Sequence, residues 1–186
     1  MKRLFDIALG VVVFSLFLIP IILVALAVKF SSAGPILYWS DRVGANNKIF
    51  KMPKFRSMRI NTPVVATHLL TDPSIYLTPI GSFLRKTSLD ELPQLFSILK
   101  GDMSFVGPRP ALYNQLDLIE LRTKSGVHKL IPGLTGLAQI SGRDELPIPE
   151  KVQFDIEYLK TKSLRLDIKI LFLTGLKVLV RDGVTH

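Results

Sequence analysis

Two adjacent acids, Asp90 and Glu91, stand in the segment Arg85–Gln94, RKTSLDELPQ. Ser88 and Glu91 have the spacing of a capping box. A second register makes Asp90 the N-cap and puts Pro93 in the first turn, where its missing N–H has no partner to lose. Either register places both carboxylates at a helix amino terminus, where each gains about 0.3–1 kcal/mol from the helix dipole. Taken alone, the window reads as a cap. Its cationic surroundings point further: Lys54, Arg56 and Arg59 lie upstream, Arg85 and Lys86 adjoin it, and Arg109 sits between Pro108 and Pro110. Guanidinium groups on stiff prolyl backbone suit bidentate contacts to phosphate. Paired carboxylates suit Mg2+, which takes one or two of them together with phosphate oxygens. An ionised carboxylate beside cations can also attack phosphorus, giving an acyl phosphate.

Other chemistries are excluded or unsupported. The chain has no cysteine, which removes thiolate catalysis, disulfides and Cys-based zinc sites. His68, His128 and His186 lack metal-ligand spacing. No P-loop, dinucleotide fingerprint or nucleophile elbow occurs. Lys and Arg number 24 against 15 Asp and Glu, a net charge of +9, while 48% of residues are hydrophobic. Basic charge alone fits nucleic acid, anionic membranes or phosphate substrates. Combined with a long apolar segment, it favours a phospholipid membrane and phosphate ligands and argues against nucleic acid.

That segment runs from Ile7 to Val28, 22 residues without a charge. As a helix it would extend about 33 Å, against about 30 Å of hydrocarbon core. It is longer than a cleaved signal core of about 7–15 residues, which argues against removal. Pro20 deletes one hydrogen bond and clashes with the carbonyl of Leu16, so a bend or break is expected there. Lys2 and Arg3 precede the segment and Lys29, Arg42, Lys48, Lys51, Lys54, Arg56 and Arg59 follow it. The positive-inside bias therefore keeps the main domain cytosolic. Charge and length leave a spanning helix and a re-entrant one both open.

The rest reads as one domain, with an anchor over residues 1–30 and a body over 31–186. Ile36–Ser40 and Lys48–Met52, joined through residues 44–47, suggest a short β-hairpin, with Pro53 interrupting the approach to Lys54. Asn61–Pro79 holds three prolines and reads as an irregular loop. Helices are expected over Ile80–Arg85, Glu91–Leu99, Glu150–Lys160 and Arg165–Val180, with rigid turns at Gly107–Pro110 and Pro132–Gly136. The last helix is apolar but bounded by charge, and fits a membrane interface where its lysines snorkel to headgroups. The expected class is α+β: mostly helical and membrane-associated, with one short hairpin.

Three ordered motifs, KFRSM (Lys54–Met58), RKTSLDELPQLFSILKGDMSFVGPRP (Arg85–Pro110) and PGLTGLAQISGR (Pro132–Arg143), together resemble the bacterial sugar transferases, the monotopic phosphoglycosyl transferases. The likeness runs from about Arg3 to Gly183. It implies a re-entrant helix-break-helix at Pro20, residence at the bacterial inner membrane with the site on the cytosolic face, and a ping-pong reaction with Mg2+. Asp90 would attack the β-phosphorus of a UDP-sugar, release UMP and hold the phospho-sugar until polyprenyl (undecaprenyl) phosphate displaces it. Glu91 would be the second member of the dyad, assisting metal binding or proton handling. Lys54, Arg85 and Arg109 would match phosphate-handling positions, with Gln139 and Arg143 in the third motif as further substrate contacts. The sugar and the downstream pathway are not readable, and a homo-oligomer is compatible with the sequence. A catalytically silent membrane-surface binding protein, or a hydrolase using the same dyad, is the competing expectation.

Overall fold

The computed structural model describes residues 1–65, 72–142 and 146–180. It opens with α1 (Lys2–Ser31), which passes through Pro20 without interruption. The expected helix-break-helix is thus a continuous helix: a proline in an apolar helix costs one hydrogen bond, which neighbouring turns absorb. Both ends of α1 grip the body. Arg3 donates to the carbonyl oxygens of Ile98 and Leu99 at 2.5 and 2.6 Å, and the buried Asp6 accepts from the Phe105 N–H at 3.2 Å. At the far end Val24 and Val28 pack with Phe55 and Leu84. Between these grips, Leu16 and Ile19 are 71% and 70% exposed, and Val11, Val12, Phe14, Phe17 and Leu18 are also exposed.

The hairpin is longer than the sequence suggested. β1 (Leu37–Val43) pairs antiparallel with β2 (Ile49–Phe55), from Leu37 opposite Phe55 to Val43 opposite Ile49. Pro53 does not end β2; it sits opposite Trp39. A two-stranded ribbon consists of two edges, and a proline is accepted on an edge strand. The connection holds Asn46 and Asn47 at φ 55° and 59°, the left-handed region that asparagine tolerates.

After the hairpin come α2 (Gly81–Lys86), a single 3-10 turn at Leu89–Glu91 and α3 (Gln94–Lys100). Then β3 (Ser104–Val106), α4 (Leu116–Lys124), β4 (Gly133–Thr135), α5 (Leu137–Ser141), α6 (Ile148–Thr161) and α7 (Leu164–Val180) complete the chain. The expected helix over Glu91–Leu99 begins three residues late, and α4, α5 and the β3–β4 pair were not expected.

β3 and β4 run parallel, with Ser104 opposite Gly133 and Val106 opposite Thr135. The two stretches read as turns, Gly107–Pro110 and Pro132–Gly136, thereby lie side by side. Gly107 donates to Thr135 O and Gly133 to Pro108 O, both at 2.9 Å. A Cβ on Gly133 would come within 2.1 Å of the Gly107 nitrogen, so only glycine permits this approach. The main core lies around this pair, where Met52, Leu95, Ile98, Met103, Phe105, Val106, Tyr158 and Ile170 meet.

Candidate active site

The acids do not cap a helix. Ser88 adopts φ 56°, ψ 17°, and no side-chain capping bond forms at the turn it opens. The N-cap of α3 is Pro93, also without a side-chain cap. The chain leaves α2, reverses through the left-handed Ser88 and makes one 3-10 turn that carries Asp90 and Glu91. Neither capping register is used, which leaves both carboxylates available for other contacts.

Those contacts differ sharply between the two. Glu91 Oε1 accepts from Lys54 Nζ at 2.7 Å and from Arg109 Nη2 at 2.8 Å. Burial pushes the Glu91 carboxyl up, but Arg109 and Lys54 overturn that effect and hold it well below the usual carboxylate range. Asp90, only 7% exposed, accepts no hydrogen bond among the described residues. Burial raises its pKa to about 6 against the pull of Lys54, with Glu91 adding to the rise and Arg85 and Arg109 opposing it. One acid is clamped in its ionised form. Its neighbour is a more basic carboxylate without a fixed partner, inside the field of three cations.

Each cation comes from a different element. Lys54 is carried by β2, opposite Tyr38. Arg85 ends α2, where its Nη1 meets Met58 Sδ at 3.4 Å. Arg109 follows the β3–β4 pair, and its carbonyl accepts from Arg122 Nη1 at 2.8 Å. Arg122 in turn pairs with the buried Asp155 at 2.7 Å. Arg122 and Asp155 were not expected at the site, because neither lies in the three motifs. Gln94, one turn beyond Asp90, was also missed; it is 1% exposed, and its Nε2 has no partner among the described residues.

The remaining expected residues stand differently. Gln139 lies in α5 with both side-chain polar atoms buried and without partners among the described residues; no hydrogen bond joins it to the dyad. Arg143 lies outside the described residues. Among those described, no three acidic or histidine side chains converge as a metal cage. A cation here would rest on two carboxylates, Asp90 and the second oxygen of Glu91, and fill its shell with phosphate and water oxygens. Magnesium accepts that donor set.

Comparison with known proteins adds an independent line. The family described as "Bacterial sugar transferase" matches residues 1–181. The UDP-glucose:undecaprenyl-phosphate glucose-1-phosphate transferase of Escherichia coli (strain K12) is 44% identical over 197 residues, covering 98% of this chain and 41% of the relative. The undecaprenyl-phosphate galactose phosphotransferase of Salmonella typhimurium is 40% identical, covering 98% of this chain and 41% of the relative. The uncharacterized sugar transferase EpsL of Bacillus subtilis (strain 168) is 38% identical, with 99% and 90% covered. This chain therefore spans about two fifths of the first two relatives and nearly all of the third.

Proposed function

The chain belongs to the bacterial sugar transferase family, and from that membership we propose that it moves a phospho-sugar from a UDP-sugar to polyprenyl (undecaprenyl) phosphate. The observation that carries the reading is the contrast within the dyad: Glu91 clamped by Lys54 and Arg109, Asp90 buried, without a partner among the described residues and more basic than an ordinary carboxylate. The names of the relatives, which specify undecaprenyl phosphate with glucose or galactose phosphate transfer, support the substrate classes.

In the first half-reaction a carboxylate oxygen of Asp90 attacks the sugar-bearing phosphorus. The bond from that phosphorus to the bridging oxygen breaks, and UMP leaves with the electron pair. In the second, an oxygen of the lipid phosphate attacks the same phosphorus. The acyl phosphate bond breaks, the Asp90 carboxylate returns, and a polyprenyl diphosphate sugar is the product. With a pKa of about 6, Asp90 is ionised at neutral pH yet keeps the basicity a nucleophile needs. Lys54, Arg85 and Arg109 neutralise charge on the diphosphate, and transfer of this kind depends mainly on positioning and such neutralisation. Asp90 and Glu91 are also the groups that would hold magnesium, which when bound supplies further neutralisation of phosphate oxygens.

An acceptor with a long lipid tail requires a site at the bilayer. α1 is long and apolar enough to cross a membrane, and an 18-residue stretch of it has a mean hydropathy of 3.1. Because both of its ends grip one body while its middle is bare, we assign it a re-entrant path, entering and leaving the inner membrane on the cytosolic face. On α7, Leu164, Ile168, Phe172 and Leu176 are exposed at intervals of one helical turn, a stripe that suits the interface.

The test uses the full chain in nanodiscs with β-phosphorus-labelled UDP-sugars and no acceptor. One equivalent of UMP should appear while one label stays on the protein, and Asp90→Asn should show neither. Continuous UMP release without acceptor would identify a hydrolase. No release from any UDP-sugar would leave a membrane-surface binding protein.

A further inference from the structure

A groove of about 650 Å³ opens where the chain leaves α1, walled by Ser32 and Ala33, by Arg56 and Arg59, and by Ile75 and Tyr76. None of Asp90, Glu91, Lys54, Arg85 and Arg109 lines it. The backbone explains the separation. Arg59 N donates to Tyr76 O at 2.7 Å and Thr78 N to Ser57 O at 3.0 Å, with Met58 bridged to Leu77. In extended chain, successive side chains face opposite sides. Met58 turns toward Arg85, while the next residue, Arg59, lines the groove.

Among the described residues, the groove carries positive charge without a counter-charge. Arg56 is buried and directs its terminal nitrogens to neutral acceptors: the carbonyl oxygens of Ala33 and Ser32 and the Ser32 hydroxyl. Its Nε is buried with no partner among the described residues. Arg59 is exposed, and its side chain makes no hydrogen bond or ion pair among them. No acid among the described residues lines the groove; Asp72, nearby in sequence, is engaged with Ser74. Around this charge stand exposed apolar side chains, Ile60 at 67% and Ile75 at 56%. Two guanidinium groups within an apolar rim, at the exit of a membrane-embedded helix, match a phosphate that carries a hydrocarbon chain.

We propose that this groove seats the phosphate of a resident anionic phospholipid, which fixes the exit of α1 at headgroup depth. The inference rests on the reading of α1 as membrane-embedded. A reacting polyprenyl phosphate must reach Asp90, which does not border the groove, so the occupant is a membrane phospholipid and not the acceptor.

The full chain is reconstituted in nanodiscs of mixed phosphatidylcholine and phosphatidylglycerol, extracted in detergent, and its retained lipids are counted by native mass spectrometry. Wild type should keep one phosphatidylglycerol in preference to phosphatidylcholine. Arg59→Glu should keep at least tenfold less, and Arg59→Lys, which preserves the charge, most of it. Arg59 is the position to change because Arg56 holds the end of α1, and its loss would confound lipid release with misfolding. Equal retention by wild type and Arg59→Glu, or no preference for phosphatidylglycerol, would overturn the proposal. Stoichiometric displacement by polyprenyl phosphate would assign the groove to the acceptor and overturn it as well. If the wild-type chain does not enter bilayers, the membrane reading fails and takes this proposal with it, whereas the transfer chemistry is read separately by UMP release.

Discussion

Two regions of this molecule bury carboxylates and treat them in opposite ways. Under α6 and α7, Asp155 accepts two bonds from Arg122, at 2.9 and 2.7 Å, and Asp167 accepts from Tyr158 at 2.7 Å and from Lys2 at 2.5 Å. Each acid there has a fixed partner and joins distant elements: α4 to α6, and the start of α1 to α7. In the turn at Leu89–Glu91 only Glu91 is treated in this way. Asp90 is buried among cations and accepts no hydrogen bond among the described residues, an arrangement that stability alone does not favour. Full pairing marks the structural acids, and incomplete pairing marks the one available to a substrate.

The largest effect should come from exchanging charge for amide in each region. Asp90→Asn should reduce UMP release by on the order of a thousandfold or more, while leaving the melting temperature unchanged or raised, because it removes an unpaired buried charge. Asp155→Asn should do the reverse. It leaves Arg122 facing a neutral partner and should destabilise the fold by about 3 kcal/mol, seen as a lower melting temperature with UMP release per folded molecule largely kept. A loss of stability in Asp90→Asn would erase the distinction between the regions. Glu91→Gln should fall between them. Lys54 and Arg109 lose their shared anion, so UMP release should drop by about a hundredfold and stability by about 1–3 kcal/mol.

The adjacent acids should also part company with pH. Asp90 has a pKa raised to about 6, so UMP release in the first half-reaction should rise about tenfold per unit below pH 6 and level off above it. Between about pH 4 and 6 the folded chain holds this proton and the unfolded chain has lost it, so the Asp90 contribution to stability falls as pH rises through that window. Glu91 has the opposite sign: its contribution is fully present above its unfolded value of 4.5 and declines as pH falls below it. Denaturation of wild type and Asp90→Asn across pH 4–7 checks the sign. The variant should lack the component that weakens toward neutral pH.

The apolar run of α1, the hairpin and α6 and α7 were legible because each rests on local composition or period. The dyad and its cations were legible as residue types, and the motif resemblance implied the roles proposed for them. Their arrangement was not. Gly107–Pro110 and Pro132–Gly136 read as turns because Gly and Pro punctuate both, whereas the structure brings them side by side next to a parallel pair, Ser104–Val106 with Gly133–Thr135, whose partners are distant in sequence. Strands of three residues leave no periodic trace. Arg122 and Asp155 were invisible for a related reason: the pair joins α4 to α6, and neither helix resembles a site when read alone. The capping spacing of Ser88 and Glu91 misled because spacing does not report the backbone angle at Ser88.

That angle carries the smallest of the expected effects. Ser88 holds φ 56°, a conformation that disfavours a residue bearing a Cβ and that glycine adopts freely. Ser88→Gly relieves this strain but enlarges the freedom of the unfolded chain, so the net gain should be no more than about 1 kcal/mol, or about 2–4 °C in melting temperature. Since the 3-10 turn that follows is held by contacts of Glu91 with Lys54 and Arg109 and by the Ser88 carbonyl, which a glycine keeps, and not by the Ser88 side chain, UMP release should fall by no more than about threefold. A much larger loss of rate with an unchanged melting temperature would place the aim of Asp90 in the strained residue before it, and would extend the contrast between the two acidic regions from pairing to backbone.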